Sequence, residues 1–492
     1  MTTAELVHEP ATEPVTTGVS PVPASELSLR ALCAGGLIGA LVAAVNMYMG
    51  LKIAFTEGGA ILSAILCFAL VRAMGGRLTI PENVIGQTVA TGSASLGIMV
   101  SVIPALIMLG NPLSPFQTML WLFLVSILGV LFAVPLRKQF VVMDALPFPT
   151  GTACAATIRA MHARDESAAG QARTLGVAGG FAALLTWIRD GIPSLLPEFS
   201  MAPFKIGGIA ASRLAIGVSW SPMLLGAGML VGLRIGISLI LGGLVGWVLL
   251  GPMLVHTGII QGAGMREVSH WTMWLAIPLM VSAGFMSFLF KGKTIGETLR
   301  SMRKAGMTAG AGGEVPLAAW AWATGITAIA TVLLMQVLLG IALWMGVVAI
   351  ILSFFLAAVA VRAYGETDVS PVGTMGHTTQ IVFGAAAPGQ VTANLLTAGV
   401  TAGAANTAVD MMQDLKAGYL LGSTPWKQVI AQSLGVLVGT LVAVPVFNAL
   451  VAAYGLGSEA LPAPAAVLWS GMARLLSQGF SALPPYAGYA IG

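Results

Sequence analysis

Charge is scarce in this sequence. The 492 residues include 23 Lys and Arg and 19 Asp and Glu, 9% of the chain, against roughly 25% in an average soluble domain. So few charges cannot give a globule of this size a polar shell, which excludes an ordinary soluble enzyme or binding domain. The net charge is only +4. No cluster of Lys and Arg offers to neutralise a run of phosphates, so nucleic acid is excluded as a partner. Cysteine is almost absent: Cys33, Cys67 and Cys154 lie far apart, without disulfide or metal-ligand spacing, and read as small packing residues. There are five histidines; none forms an HExxH pair, and no P-loop or GxSxG occurs. The sequence therefore implies no enzyme activity, no metal site and no cofactor.

What is abundant is apolar. Hydrophobic residues make up 57% of the chain, mean hydropathy is +0.90, and there are 61 glycines. The apolar runs are about 20 residues long, the length of a membrane-spanning helix, and lack the ten-residue alternation of a transmembrane barrel. Glycine at this level suits helices packed closely in lipid. The expected fold class is thus all-α: a polytopic transmembrane helical bundle of about twelve spans. They are read near 29–49, 58–75, 84–109, 117–136, 174–190, 214–232, 234–255, 271–290, 317–339, 341–361, 391–412 and 428–453. The stretch 81–110 is either one long tilted helix or two pieces. Residues 1–28 form a disordered cytoplasmic tail in this reading, and 29–492 the transmembrane domain. Arg72 and Arg77; Arg137 and Lys138; Lys291, Lys293, Arg300, Arg303 and Lys304; and Arg362 are separated by even numbers of spans. Positive residues mark the inner side, so these loops and the N-terminus are placed in the cytoplasm, in an inner (plasma) membrane. Trp271 and Trp274 read as an interfacial belt.

Three stretches break the pattern: 50–57, 144–162 and 365–390. Irregular backbone at membrane depth is tolerated only where protein buries it or where it lines a cavity, so such breaks point to a transport site. A faint repeat relates Pro81, Val84, Gln87 and Gly92 to Pro388, Val391, Asn394 and Gly399, 307 positions on, and suggests internal duplication.

The strongest polar signal is Asn406, Asp410 and Asp414, spaced i, i+4, i+8 on one side of a helix, with Gln413 beside them and Lys416 following. An intramembrane carboxylate is costly and faces a cavity or a partner. Two carboxylates one turn apart repel when both are charged, so one of them is able to carry a proton. The structural alternative has Asp414 capping the helix end and paired with Lys416. Glu366, Asp368, His377 and Gln380 form a second group, with His377 able to titrate; the alternative is an ordinary capped loop. Thr150 and Gly151 follow two prolines, where a helix N-terminus would attract a substrate carboxylate or the prolines form a rigid elbow. Asn46, Tyr48, Lys52 and Glu57 flank the first break, as substrate contacts or as an interfacial pair. The proton-coupling candidates are Glu57, Glu366, Asp368, His377, Asp410 and Asp414. The substrate-binding candidates are Asn46, Tyr48, Lys52, Thr150, Gly151, Gln380, Asn406, Lys416 and Tyr419.

NMYMGLK at 46–52, DALPFPTGTA at 144–153, GETDVSPVGTMGHTTQ at 365–380 and QDLKAGYLLGSTPWKQ at 413–428 together resemble the oligopeptide transporter (OPT) family, in its prokaryotic branch. The resemblance implies a secondary transporter that takes up small peptides, driven by protons. As in the yellow stripe-like branch, it also allows a carrier of metal–chelate complexes. Family members usually carry more spans, so the resemblance further implies a chain truncated at its C-terminus. A channel or an intramembrane aspartyl protease is the remaining alternative. The protease needs two Asp on different helices, and Asp144 with Asp410 is the pair available, although Asp144 adjoins a basic loop. The sequence carries no signal for oligomeric state.

Overall fold

In the computed structural model, the described residues are 26–56, 58–162, 167–191, 199–201, 203–214, 216–260, 264, 267–269, 271–272, 274–276, 279, 282, 286, 315–368 and 370–478. They form helices with two small antiparallel strand pairs. The first helices are α1 (Leu29–Ile53), α2 (Ala60–Ala73), α3 (Ile80–Ala94), α4 (Val102–Met108), α5 (Pro115–Arg137), α6 (Pro149–His162) and α7 (Ser167–Gly191). After them β1 (Phe199–Met201) pairs with β4 (Gly217–Ser219) and β2 (Lys205–Ile206) with β3 (Ile209–Ala210). There follow α8 (Pro222–Gly243), α9 (Gly251–His256), α10 (Leu317–Val337), α11 (Leu343–Thr367), α12 (Val372–Ala386), α13 (Val391–Leu421), α14 (Pro425–Tyr454) and α15 (Pro464–Gln478).

Local signals set many of the ends. Ser28 caps α1, its hydroxyl accepting from the Ala31 N–H at 3.3 Å. Thr79 with Glu82, and Ser114 with Gln117, form capping boxes, each followed by a proline in the first turn, where the missing N–H has no partner to lose. Glu82 also accepts a two-pronged bond from Arg30, at 2.7 and 2.8 Å, which ties the start of α3 to α1.

Seven helices among the described residues are long and apolar enough to cross a membrane: Leu29–Ile53, Ile80–Met108, Pro115–Met143, Ile235–His256, Leu317–Val337, Leu343–Thr367 and Pro425–Tyr454. The run at 81–110 is one such span, interrupted at 95–101. The expected spans at 214–232 and 234–255 merge into one helical run from Pro222 to His256, α8 and α9 being joined by a wider π-helical turn. The expected span at 58–75 is the 14-residue α2. The span at 391–412 extends to Leu421, 31 residues, and is more polar than its neighbours. The span at 271–290 lies mostly outside the described residues, as do Glu57 and residues 1–25. Glu26, read as part of the tail, is bonded at the start of α14: its carboxylate accepts from the N–H and hydroxyl of Thr424 and from Lys427. Trp271 and Trp274 are buried, Trp274 against Val467, Leu468 and Leu475. This corrects the interfacial belt: both rings are buried, that of Trp274 by α15.

The order and size of elements repeat. Helices α1 and α11 each have 25 residues and each end in a non-glycine residue with left-handed backbone, Ala54 (φ 56) and Asp368 (φ 59). Short helices α2 and α12, of 14 and 15 residues, come next. Then α3 with α4 matches α13, α5 matches α14, and α6 matches α15. The residues that precede α6 and α15, Phe148 and Ala463, again have positive φ, 40 and 49. Phe148 N–H donates to Gly365 O at 2.9 Å and Ala463 N–H to Leu51 O at 2.8 Å, so each unit binds the corresponding corner of the other. Close approaches correspond too. A Cβ on Gly129 of α5 would strike the Ala404 carbonyl of α13, and one on Gly439 of α14 the Ser93 carbonyl of α3. The mates lie 310 to 315 positions apart. The motif pairing at 307 is thus about one helical turn out of register, a slip that leaves the apolar face of a helix unchanged and so hides in sequence.

Candidate functional site

Helix α13 runs through the centre, with α3, α5, α6, α11 and α12 packed around it, and its residues 393–405 and 407–418 are buried. Glycines let backbones meet there: a Cβ at Gly151 of α6 would lie 2.5 Å from the Gln413 carbonyl, and one at Gly92 of α3 would lie 2.6 Å from the Gln432 carbonyl. Within this close packing the polar stripes of three helices converge.

Asp414 is fully buried. The Gln87 amide of α3 donates to its Oδ1 at 2.5 Å and to Thr91 Oγ1 at 2.8 Å. The Gln432 amide of α14, with its nitrogen turned toward acceptors, donates to Asp414 Oδ2 at 3.0 Å and to Thr88 O at 2.9 Å. Gln428, one turn earlier on α14, donates to the Asp414 main-chain oxygen at 2.7 Å. The carboxylate is therefore caged by neutral amides, and no Lys, Arg or His pairs with it among the described residues. Lys416 is buried as well, but two positions along a helix it faces away from Asp414, so the pairing of these two does not form.

Asp410, one turn earlier, accepts from Asn406 Nδ2 at 3.2 Å and from Gln413 Nε2 at 3.4 Å. The break after α1 comes against it: a Cβ on Gly58 would lie 3.2 Å from Asp410 Oδ1. Asn46 donates to Ala94 O at 3.2 Å and Asn406 to Ser95 O at 3.5 Å. These two amides satisfy carbonyls freed where α3 stops inside the bundle.

The other candidates fall elsewhere. Asp368 is a cap across the units, accepting from the Thr150 N–H at 3.3 Å and the Thr150 hydroxyl at 2.7 Å at the start of α6. Both residues are thereby committed to each other, and the left-handed Asp368 backbone holds the carboxylate in place. Glu366 is exposed and bonded to Arg362 at 3.1 Å. Arg362 also reaches Asp144 at 3.3 Å, which occupies the carboxylate an aspartyl protease would require. His377 is buried, its Nδ1 sharing a hydrogen bond with Gln380 Oε1 at 2.7 Å and its ring 5.1 Å from that of Trp469. Gln380 also donates to Trp469 O, and its own carbonyl accepts from Asn394, so His377 and Gln380 form a second polar group on α12. Gly151 is a packing position. Tyr48 and Lys52 are half-buried near the end of α1. Tyr419 is exposed, with the Arg137 guanidinium 5.9 Å from its ring centre.

The structure thus gathers Asn46, Asn406, Asp410 and Asp414, and adds Gln87, Thr88, Thr91, Gln428 and Gln432. A signal for the additions exists in the sequence: Gln87 and Thr91, and Gln428 and Gln432, are polar pairs at i, i+4 within apolar runs, the same spacing that marks Asp410 and Asp414.

Broken helices whose ends meet a buried cluster of carboxylates and amides define a polytopic α-helical membrane transporter. The comparisons refine that class. The family model for the OPT oligopeptide transporter protein matches residues 26–491, so the chain belongs to the OPT family. A Haemophilus influenzae protein bearing the name oligopeptide transporter is 29% identical over 469 residues, covering 85% of this chain and 72% of that protein. A Saccharomyces cerevisiae protein of the same description, YGL114W, is 24% identical over 92% of this chain and 81% of its own length. The rice (Oryza sativa subsp. japonica) protein YSL13, described as a metal-nicotianamine transporter, is 27% identical over 74% of this chain and 56% of its own length.

Proposed function

We propose that this chain is a secondary carrier that imports small peptides across the plasma membrane, its N-terminus in the cytoplasm, and that proton movement through the Asp410–Asp414 pair drives it. The observation that carries this reading is the cage around Asp414. An ionised carboxylate taken out of water needs a counter-charge, and here amides alone surround it, with a second carboxylate one turn away. Such a pair takes up and releases one proton readily, because each charge opposes the other. Binding the proton and the substrate together, and releasing them together after the two repeats rearrange, is alternating access. The test is uptake of labelled di- to tetrapeptides into proteoliposomes under an imposed pH gradient. Wild-type uptake is expected to follow the gradient. Asp414→Asn, which keeps the shape and removes the ionisable group, is expected to abolish gradient-driven uptake and retain exchange of peptide across the membrane. Uptake by Asp414→Asn that still responds to the gradient would remove Asp414 from the coupling.

A second reading, transport of intact metal chelates, is favoured by the description of the rice relative. An intact chelate needs no metal ligands from the protein. Competition between peptide and an iron or nickel chelate in the same assay separates the two.

A further inference from the structure

We propose that the buried polar atoms around Asp414 hold a file of water molecules, and that this file is the route by which the Asp414 carboxyl group exchanges its proton with water at the end of the bundle where α3 begins and α13 ends. This rests on the proton-coupled reading and adds the path that reading needs.

Six side-chain atoms carry the inference: Ser63 Oγ on α2, Asn83 Oδ1 and Nδ2 and Gln87 Oε1 on α3, Ser423 Oγ in the turn between α13 and α14, and Gln428 Oε1 on α14. All are buried, and none has a hydrogen-bond partner among the described residues. The side chains of Ser63, Asn83, Gln87 and Gln428 have no exposed surface at all. Leaving that many polar atoms unsatisfied would cost as much as a whole domain gains by folding. Buried polar atoms are normally satisfied by protein or by ordered water, and a water settles where several such atoms are within its reach.

Their placement is directional. Asn83, Gln87 and Thr91 are spaced i, i+4, i+8 and form one stripe along α3. At its outer end Glu82 holds Arg30, whose side chain is 51% exposed, which marks the aqueous boundary. At its inner end Gln87 and Thr91 meet Asp414 and the Gly58 break. Gln428 brackets the same stretch from α14, donating to Asp414 O and Thr88 Oγ1. Ser423, whose N–H donates to Gly418 O, lies beside it, since a Cβ on Gly418 would strike the Gln428 amide. Among the described residues the titratable groups facing this stretch include Asp410 and Asp414 of α13, Cys67 of α2, which lies against Gly86 of α3, and Cys154 of α6, whose thiol donates to Ala60 O at 3.6 Å. A proton leaving Asp414 passes to the first water, each water hands on a proton in turn, and the last is delivered outside. The carboxylate is left ionised, and the reverse sequence reloads it.

Asn83→Leu, alone and with Ser423→Ala, tests the file in the full-length chain. Leucine keeps the heavy-atom count and branch point of asparagine and deletes two unsatisfied atoms. If those atoms are merely buried and idle, the variant gains heat stability and transports as before. If they hold the file, gradient-driven uptake falls at least about tenfold, the scale of losing a positioned proton-transfer partner, while peptide exchange at equal pH on both sides persists. Asn83→Val serves where leucine impairs assembly. Infrared difference spectra read the path directly. The protonated Asp414 carboxyl band, identified by its loss in Asp414→Asn, should shift slowly on transfer to heavy water in Asn83→Leu and quickly in the wild type. Equal shift rates, absence of the band, or undiminished gradient-driven uptake in the double variant would overturn the file. A wild type without gradient-driven uptake but with the rate difference would overturn the coupling reading and leave the file standing.

Discussion

The bond between Asp368 and Thr150 can be weighed against an internal control, because the fold contains the same corner twice. At one corner Phe148 N–H binds Gly365 O, and Asp368 adds two bonds to Thr150. At the other, Ala463 N–H binds Leu51 O, and the positions matching Asp368 and Thr150 are Ala54 and Ala465. Substitution of Asp368 by Ala removes the two charge-assisted bonds, worth about 1.5–3 kcal/mol together for a half-buried group. It also places Cβ-bearing alanine at φ 59, where Asp is better tolerated, at a cost of about 1 kcal/mol. Asp368→Gly loses the bonds and none of the backbone comfort. The expected ranking of heat stability in detergent is wild type, then Asp368→Gly, then Asp368→Ala, with the alanine variant down by about 3 kcal/mol. In the cycle formed by Thr150→Val and Asp368→Gly, coupling of about 1 kcal/mol is expected. The converse experiment moves the bond: Ala54→Asp with Ala465→Thr should stabilise the second corner by about 1 kcal/mol. Additive effects of Thr150→Val and Asp368→Gly, or equal loss for glycine and alanine, would refute the reasoning.

Gly151→Ala is expected to cost about 1–3 kcal/mol of stability, because its Cβ would meet the Gln413 carbonyl at 2.5 Å and overpacking against backbone has no soft escape; a rise in KM for peptide with unchanged heat stability would instead restore Gly151 as a substrate contact. Glu26 should give the folded chain an acid-sensitive joint. Burial raises its carboxyl pKa, the Thr424 hydroxyl and N–H and the Lys427 ammonium lower it by more, and the net lies below the ordinary 4.5. The ionised form is the bonded one, so its stabilisation is complete above pH 4.5 and is lost as pH falls below it. Thermal unfolding measured from pH 6 down should show this slope in the wild type and a flatter one in Glu26→Gln.

The fold class was legible because composition alone demands lipid, and the central site because Asn406, Asp410 and Asp414 are expensive where they stand. Other features were hidden for identifiable reasons. The cage around Asp414 is built from glutamines and threonines, residues that carry no charge and raise no alarm one at a time; only α3, α13 and α14 coming together makes them a site. Asp368 stood out as a carboxylate in a broken segment, yet its partner Thr150 is 218 residues away, and no local pattern tells a cap supplied from so far from a group left free to titrate. Gly151 shows the same limit, since a glycine in a Pro-rich elbow and a glycine that seats one helix on another look identical until the Gln413 carbonyl is in place. The repeat was glimpsed at the wrong register because glycine and small residues recur every turn in both copies.

The repeat also clarifies why the carboxylates sit where they do. Ser95 and Asn406 are mates in the two units, and they touch each other through the Asn406 amide and the Ser95 carbonyl, so the units meet at that point. Beyond it the copies differ. In the first unit the helix breaks at 95–101, with Met99 inside the break and Ile103 beyond it; in the second it runs unbroken and carries Asp410 and Asp414 at the matching places. The same asymmetry recurs at α2 and α12, where Ala64 and Cys67 occupy the positions of His377 and Gln380. Two units of one shape can exchange conformations at little cost, since each arrangement of the first resembles an arrangement of the second. If both carried the same chemistry, those arrangements would also bind proton and substrate alike, and a ligand with equal affinity for two states shifts neither. In the proposed proton-coupled carrier, confining the carboxylate pair to one unit lets a proton favour one arrangement over the other, so that mechanism draws on the divergence of the copies more than on their likeness.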